Sequence, residues 1–171
     1  MADSVSLPGG AHQPLVGVIG AGHGDGGTLH DLAYQVGALL AAQRYLLICG
    51  GLGGVMAAAC QGAKAAGGMT LGLLPGRDAA AANPWVDIAI PTGLGEARNL
   101  VLVRSAAALI ALGGSYGTLS EIAFALQLGK PLVGIHTWQP LRPGASGPDF
   151  FQVETAQAAV DWAIAQINAR S

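Results

Sequence analysis

The chain has 171 residues, of which 51% are hydrophobic and 11% are charged, and its formal net charge at pH 7 is -2. This length suits one domain with its own core, and the slightly acidic balance argues against a nucleic-acid partner, whose phosphates attract basic surfaces. Because charged residues make up about a quarter of a typical soluble domain, this chain has few charges for the surface of a monomer, and we predict a homo-oligomer.

Neither the apolar runs of the chain nor its N-terminal region predicts a membrane segment. No apolar run approaches the roughly 20 residues that cross a bilayer, and the N-terminus lacks the basic and apolar regions of a signal peptide. We therefore expect a cytoplasmic protein without a membrane partner. Residues 1–13 contain proline, glycine and serine but no periodic apolar pattern, which predicts a mobile tail ahead of a single domain over residues 14–171.

Short apolar runs alternate with helical patterns along the rest of the chain. The runs predict buried strands over residues 15–19, 45–49, 69–74, 86–90, 106–112 and 131–135. The segments between and after them predict helices over residues 28–43, 55–66, 96–105, from 118 onwards, and over 153–169. Thr28 and Asp31 have the spacing of a capping box, which favours a helix start there. Residues 136–150 are rich in proline and glycine and predict a surface loop.

The strands show no alternation of polar and apolar residues and are separated by helices along the chain. This pattern indicates a parallel sheet covered on both faces. We therefore predict an α/β fold of the Rossmann-like type, with a doubly wound parallel sheet in a single domain. Ligands of such sheets bind outside the carboxyl ends of the strands. Three glycine-rich turns, at residues 20–27, 50–54 and 113–117, follow strands and are predicted to line one cleft there.

The glycine-rich turns predict an anion site, because they let backbone N–H groups approach a ligand closely. Gly22 to Gly27 satisfy the G-x-G-x-x-G pattern, but a dinucleotide site also needs an acid about 20 residues further on. Cys49, Gly50 and Gly51 occupy that place, so NAD is not favoured and a phosphate or another anion remains. The predicted ligand contacts from these turns are Gly20, Gly22, Gly51, Gly53, Gly54, Gly113, Gly114, Ser115, Tyr116 and Gly117.

Two charged residues beside the predicted cleft have competing interpretations. Glu121 has capping-box spacing from Thr118 and would then satisfy a backbone donor; the same carboxylate would equally hold a ribose hydroxyl or take part in acid–base chemistry. Arg98 lies in the first turn of its helix, where the helix dipole disfavours a cation. An anionic ligand explains that position, and so does a solvated arginine paired with Glu96 or Asp87.

The other reactive side chains are interpreted as structural or as lying away from the cleft. Cys49 and Cys60, at the end of a strand and inside a helix, are interpreted as buried free thiols rather than a redox pair. Lys64 and Lys130 lie within and after helices, so pyridoxal phosphate chemistry is not expected. Tyr116 is either a lid or stacking group or a residue that fills the turn. The four histidines are scattered without ligand spacing, and no metal site is predicted.

Three motifs, at residues 50–56, 95–99 and 113–121, resemble in order and placement the Rossmann-like superfamily of the cytokinin-activating phosphoribohydrolases (LOG proteins), often misnamed lysine decarboxylases. The resemblance is closer to the branch of the molybdenum cofactor carrier proteins and their uncharacterised bacterial relatives, and DNA-processing protein DprA is more distant. It covers about residues 14–135.

The resemblance implies roles for individual residues. In the phosphoribohydrolases a P-G-G-x-G-T-x-x-E motif binds the nucleotide, and its glutamate works with an arginine in N-glycosidic cleavage. Those catalytic roles would fall on Glu121 and Arg98, and a phosphate contact on Thr118. The chain departs from the pattern at Gly113 and Ser115, which replace the proline and the second glycine. It departs again at Asn99, a further predicted ligand contact, where lysine is usual.

These departures favour a non-catalytic binder of a phosphorylated, nucleotide-like small molecule. The carrier-like relatives imply a phosphate-bearing pterin, the molybdenum cofactor, as its ligand and a dimer or tetramer as its assembly. The alternative is an enzyme that hydrolyses nucleoside 5′-monophosphates to free base and ribose 5-phosphate. A third possibility is an oligomeric scaffold with an empty cleft. No tightly bound cofactor is predicted.

Overall fold

The apolar runs of the sequence form the central layer of the structure, a computed structural model that describes residues 13–23 and 27–170. In chain order the elements are β1 (Leu15–Gly20), α1 (Thr28–Ala42), β2 (Leu46–Cys49), α2 (Val55–Ala65), β3 (Thr70–Leu74), β4 (Ile88–Pro91), α3 (Arg98–Ser105), β5 (Ala108–Leu112), α4 (Tyr116–Gln127), β6 (Leu132–Ile135), β7 (Phe151–Gln152) and α5 (Ala156–Asn168). Two short 3-10 turns occupy Ala79–Ala81 and Gly95–Ala97.

The strands of the described residues form one seven-stranded sheet in the order β4-β3-β2-β1-β5-β6-β7. Every neighbouring pair is parallel. From β1 the chain moves outward through β2, β3 and β4, and then returns to the other side of β1 with β5, β6 and β7. The direction of winding therefore reverses between β1 and β5, where open α/β sheets bind their ligands. The predicted doubly wound α/β fold is confirmed.

Helices cover both faces of the sheet, because each strand carries apolar side chains on its two sides. Helices α1, α2 and α5 pack with one side of the strands in the larger apolar cluster. Helices α3 and α4 pack against the other side in a second cluster. Among the described residues, no helix is long and apolar enough to cross a bilayer.

Helices α1 and α2 touch through glycine. A Cβ atom on Gly37 would lie 1.9 Å from the carbonyl oxygen of Ala59, and one on Gly62 would lie 1.9 Å from that of Tyr34. Both distances are far below van der Waals contact, so only glycine allows this approach. At the start of α2, the backbone N–H of Val55 donates a hydrogen bond to the carbonyl oxygen of Ala21 at 3.0 Å, which holds the turn at residues 50–54 next to the end of β1.

The structure corrects several predicted boundaries. The helix start at Thr28 is confirmed, but Gly27 holds the N-cap position and no side chain caps the helix, so the predicted capping box does not form. Helix α5 begins at Ala156 and not near residue 153, with the Thr155 hydroxyl accepting a hydrogen bond from the backbone N–H of Ala158. Strand β7 was not predicted, because two residues pairing with β6 are too short for a periodic signal.

Two predicted segments fall partly or wholly outside the described residues. The N-terminal tail, residues 1–13, is described only at Gln13. Residues 24–26 of the first glycine-rich turn are also outside the described part of the chain. The division of the chain into a tail and a domain from residue 14 stays a prediction.

Candidate functional site

A cavity of about 290 Å³ lies at the carboxyl end of β1, beside the point where the winding reverses. Its wall includes residues from the ends of β1 and β2 and from the first turns of three helices. The lining residues are Val18, Ile19, Gly20, Gly22, His23, Gly50, Leu52, Met56, Pro75, Glu96, Arg98, Asn99, Ser115, Gly117, Thr118 and Glu121. The cavity therefore lies where the sequence predicts the cleft.

The structure brings together only part of the predicted set of ligand contacts. The predicted residues that line the cavity are Gly20, Gly22, Arg98, Asn99, Ser115, Gly117, Thr118 and Glu121. The predicted residues outside its lining are Gly51, Gly53, Gly54, Gly113, Gly114 and Tyr116. The lining residues that were not predicted as ligand contacts are Val18, Ile19, His23, Gly50, Leu52, Met56, Pro75 and Glu96. Of these, His23, Gly50 and Leu52 belong to glycine-rich turns, which was a signal for a position at the cleft.

Several glycines outside the lining shape the turns behind it. Gly114 has φ +124°, and a Cβ atom there would lie 2.6 Å from the Cβ atom of Thr118. Gly54 has φ +59°, and a Cβ atom there would lie 2.3 Å from the carbonyl oxygen of Ala21. A side chain at either position would push the cavity wall out of place, so these glycines act on the site through the backbone.

Tyr116 lies outside the cavity lining on the surface beside it. Its side chain is 81% exposed, and its ring centroid lies 5.8 Å from that of Trp138. The Trp138 Nε1 atom donates a hydrogen bond to the carbonyl oxygen of Ser115 at 3.1 Å. Trp138, from the predicted loop 136–150, thus holds the third glycine-rich turn in position.

Arg98 is a buried cation in the cavity wall. It is the first residue of α3 and is only 8% exposed. Its Nη1 atom lies 3.9 Å from Oε1 of Glu121, and its Nε atom has no hydrogen-bond partner among the described residues. The interpretation of a solvated arginine paired with Glu96 or Asp87 is therefore wrong. Asp87 instead pairs with the Nζ atom of Lys64 at 2.6 Å.

Glu121 lies in the second turn of α4 and not at its cap. The helix begins at Tyr116 with Ser115 as N-cap residue, two residues before Thr118, so the capping-box interpretation of Glu121 is wrong. The side chain is 6% exposed. Burial raises the pKa of the Glu121 carboxyl to about 7, against the opposing effect of the Arg98 charge. Near neutral pH this carboxyl can both give and accept a proton.

Thr118 presents a second unpaired polar atom. It is 1% exposed, and its Oγ1 atom has no hydrogen-bond partner among the described residues. A buried polar atom without a partner costs about 1–3 kcal/mol, and most such atoms in folded proteins are paired. Arg98 and Thr118 both belong to the lining of the same cavity, so the two unpaired polar atoms lie in its wall.

Cys49 and Cys60 lie behind the second glycine-rich turn as free, buried thiols, as predicted. Their sulfur atoms are 3.5 Å apart, and the backbone N–H of Gly51 donates to the Cys49 sulfur at 3.3 Å. The hydrogen bond between the thiols lowers the pKa of Cys49 and raises that of Cys60. The pair fixes the end of β2 against α2, next to the cavity residue Gly50.

A larger groove of about 590 Å³ lies elsewhere, between α4 and the segment around residues 140–149. Its charged side chains, Arg142 and Asp149, are joined by two hydrogen bonds of 2.7 Å. Because these charges pair with each other, the groove has fewer unpaired charged groups for a ligand than the smaller cavity at the end of β1.

Comparison with known families identifies the chain. Residues 13–160 match the SLOG cluster4 family. The chain belongs to the SLOG cluster4 family. This assignment confirms the resemblance to the superfamily of LOG-like proteins, carrier proteins and DprA.

Solved structures with the same fold include two carrier-type relatives of this SLOG cluster4 chain. The molybdenum cofactor binding protein of Rippkaea orientalis is 36% identical with a TM-score of 0.81, covering 94% of this chain and 99% of that one. The Moco carrier protein of Chlamydomonas reinhardtii is also 36% identical with a TM-score of 0.77, covering 94% and 100%.

Two further relatives of this SLOG cluster4 chain widen the comparison. An uncharacterised protein of Archaeoglobus fulgidus is 44% identical over 149 residues, which are 87% of this chain and 93% of that protein. DNA processing protein A (DprA) of Streptococcus pneumoniae is 17% identical with a TM-score of 0.65, covering 87% of this chain and 61% of that one. At that identity DprA shares the fold alone.

Proposed function

We propose that this chain binds a phosphorylated, nucleotide-like small molecule in the cavity at the end of β1, with the molybdenum cofactor as the leading candidate. The observation that carries the proposal is the pair of buried, unpaired groups in the cavity wall, Arg98 Nε and Thr118 Oγ1. Both would hydrogen-bond to phosphate oxygens. The guanidinium charge would in addition compensate the charge of the phosphate.

The rest of the cavity wall fits a phosphate group. Ser115, Gly117 and Thr118 lie at the start of α4, whose N-terminal dipole favours an anion. Gly22 leaves space for a ligand to approach the backbone after β1, whereas the missing side chain of Gly20 lets Val55 and Leu112 pack against the end of that strand. Arg98 and Thr118 would hold the phosphate, and the uncharged part of the ligand would lie along Leu52 and Met56.

The structural relatives support the choice of ligand. The molybdenum cofactor binding protein of Rippkaea orientalis and the Moco carrier protein of Chlamydomonas reinhardtii share both the fold and about a third of their residues with this chain. In our proposal the molybdenum cofactor is cargo that is bound and passed on, and the protein needs no resident cofactor.

Replacing Thr118 with valine tests the phosphate contact. Valine has the shape of threonine but no hydroxyl, so it removes an unpaired buried group, and we expect the free energy of unfolding without ligand to rise by about 1 kcal/mol. We expect the affinity for AMP, used as a phosphate-bearing probe, to fall by about tenfold. Urea unfolding and isothermal titration calorimetry measure the two changes.

The control variant is Thr118→Ser, which keeps the hydroxyl and should bind AMP within a few-fold of the wild type. The molybdenum content of the purified proteins, measured by elemental mass spectrometry, should be lower in Thr118→Val than in Thr118→Ser. Equal AMP affinity in wild type and Thr118→Val would contradict the proposal.

The phosphoribohydrolase remains a second candidate function, because one observation favours it. Arg98 and Glu121 lie 3.9 Å apart in the cavity, and the pKa of Glu121 is raised to about 7, which suits a general acid or base near neutral pH. Glu121 would then activate the attacking water or protonate the departing base, while Arg98 holds the phosphate.

Incubation with AMP and analysis of free adenine by chromatography distinguishes the two functions. Our leading proposal predicts intact AMP after prolonged incubation. Adenine release that Glu121→Gln abolishes would establish the enzyme instead. The control Glu154→Gln changes an exposed carboxyl outside the cavity wall and should leave either result unchanged.

The composition of the chain and its exposed apolar side chains support further proposals about its assembly, location and partners. We propose a homo-oligomer, a dimer or a tetramer, because large apolar side chains are exposed, namely Ile88 and Ile90 on the edge strand β4, Leu94 after it and Val101 on α3. We also propose a cytoplasmic location. The net charge of -2 favours a small-molecule ligand over nucleic acid.

A further inference from the structure

Asn99 is a buried amide that follows Arg98 directly in the cavity wall. It is the second residue of α3, is 6% exposed and lines the cavity. Its Nδ2 atom donates a hydrogen bond to the Ser120 hydroxyl at 3.0 Å and approaches the carbonyl oxygen of Gly117 at 3.5 Å. The amide nitrogen is therefore turned toward the first turns of α4.

The orientation of the Asn99 amide follows from counting protons. The carbonyl oxygen of Gly117 can only accept, so the Ser120 hydroxyl, 2.7 Å away, must donate its single hydrogen to it. Toward Asn99 the Ser120 oxygen can then only accept. Asn99 must present its NH₂ group to Ser120, and the opposite orientation of the amide would place two acceptors against each other.

In that orientation the Asn99 Oδ1 atom is turned away from Ser120. It accepts no hydrogen bond from any residue in the described part of the chain and is not among the fully buried polar atoms without a partner, so it is open to the cavity. A fully ionised phosphate ester offers only acceptors, so it would satisfy Arg98 Nε and leave Asn99 Oδ1 unpaired. A ligand that satisfies the whole wall must carry a hydrogen-bond donor as well as a phosphate.

We propose that Asn99 determines specificity by accepting, at Oδ1, a hydrogen bond from an N–H or O–H group of the ligand whose phosphate Arg98 and Thr118 hold. The inference rests on the proposed function and narrows its ligand class. The ligand is a phosphorylated molecule with a further donor that reaches the cavity wall, either a ribose 2′-hydroxyl or an exocyclic amino group of a heterocycle.

Three nucleotide probes separate the two kinds of donor. GMP carries both, inosine 5′-monophosphate lacks the exocyclic amino group, and 2′-deoxy-GMP lacks the 2′-hydroxyl. Isothermal titration calorimetry on the full chain is expected to show that loss of one of these donors lowers the affinity by about tenfold, because the bound ligand then covers the Asn99 acceptor without donating a hydrogen bond to it. The donor whose loss matters identifies the source.

The matched variants are Asn99→Leu and Ser120→Ala. Leucine resembles asparagine in shape but cannot accept, so the affinity ratio between probes should fall to about one while inorganic phosphate still competes as in the wild type. In Ser120→Ala the carbonyl of Gly117 still requires the NH₂ group, so the ratio should persist. This variant therefore distinguishes an effect of the Asn99 acceptor from an effect of the contact between α3 and α4.

Two results would overturn the inference alone: equal binding of the three probes by the wild type, or an unchanged ratio in Asn99→Leu. Failure of all three nucleotides and of inorganic phosphate to bind the wild type would remove the proposed function and this inference together. Circular dichroism of each variant confirms that it is folded.

Discussion

Replacing Arg98 with methionine is expected to weaken the binding of AMP by about 100- to 1000-fold, the largest effect we predict for the site. Methionine keeps much of the length of the side chain but removes both the charge and the unpaired Nε–H group. The protein should still fold, because Glu121 loses the cation that lowers its pKa and is then buried as a neutral acid. Isothermal titration calorimetry measures the change.

Arg104→Met is the matched control for Arg98→Met. Arg104 lies on the same helix, α3, but its side chain is exposed and does not line the cavity. This variant should bind AMP as the wild type does. An affinity of Arg98→Met within threefold of the wild type would show that the buried guanidinium does not hold the phosphate.

Replacing Glu121 with glutamine is expected to stabilise the protein at pH 8 and to change the dependence of stability on pH. The pKa of Glu121 is about 7 in the folded protein, against an ordinary value of 4.5. Below pH 4.5 the carboxyl is protonated in both states. Between pH 4.5 and pH 7 the unfolded chain ionises first, so the free energy of unfolding falls as the pH rises.

Above pH 7 the ionised Glu121 carboxyl lowers the free energy of unfolding by a constant amount of about 3 kcal/mol. Glutamine cannot ionise, so the Glu121→Gln variant should lack the decrease and exceed the wild type most clearly at pH 8. Urea unfolding at pH 4.5, 6, 7 and 8 measures the two profiles. The control Glu96→Gln, an exposed carboxyl in the same wall, should follow the wild type. Parallel profiles of wild type and Glu121→Gln would contradict the prediction.

Both predictions depend on buried polar groups of the site that are not fully compensated when no ligand is bound. Arg98 and Glu121 are buried in one cavity at a separation too long for a hydrogen bond, so neither fully compensates the burial of the other. Thr118 adds a buried hydroxyl without a partner. A bound phosphate would satisfy Arg98 and Thr118, so ligand binding should raise the melting temperature.

The sequence allowed the fold to be predicted because its signals are local. Each strand is a short apolar run, and glycines mark the turns that follow β1, β2 and β5. These signals fix the parallel sheet and place the cleft at its carboxyl edge. The signals failed where pairing is not local: β7 has two residues, and only its contact with β6 makes it a strand.

The candidate site was predicted less completely, because a motif does not specify where a helix begins. A start at Thr118 makes Glu121 a cap, whereas the observed start at Tyr116 places Glu121 one turn further along and inside the cavity. Similarly, Gly50 lines the cavity and the neighbouring Gly51 does not. Adjacent residues of one turn face different directions, and only the backbone conformation decides which of them meets a ligand.

By itself, the sequence determined the doubly wound fold, the family and the edge of the sheet at which a ligand would bind. Only the tertiary structure brought Arg98 at the start of α3 and Glu121 in the second turn of α4 to within 3.9 Å, both buried. It also left Arg98 Nε and Thr118 Oγ1 without partners. The physical reason is that periodicity specifies which residues are apolar, while the rotation and depth of each helix on the sheet follow from side-chain packing across the whole domain.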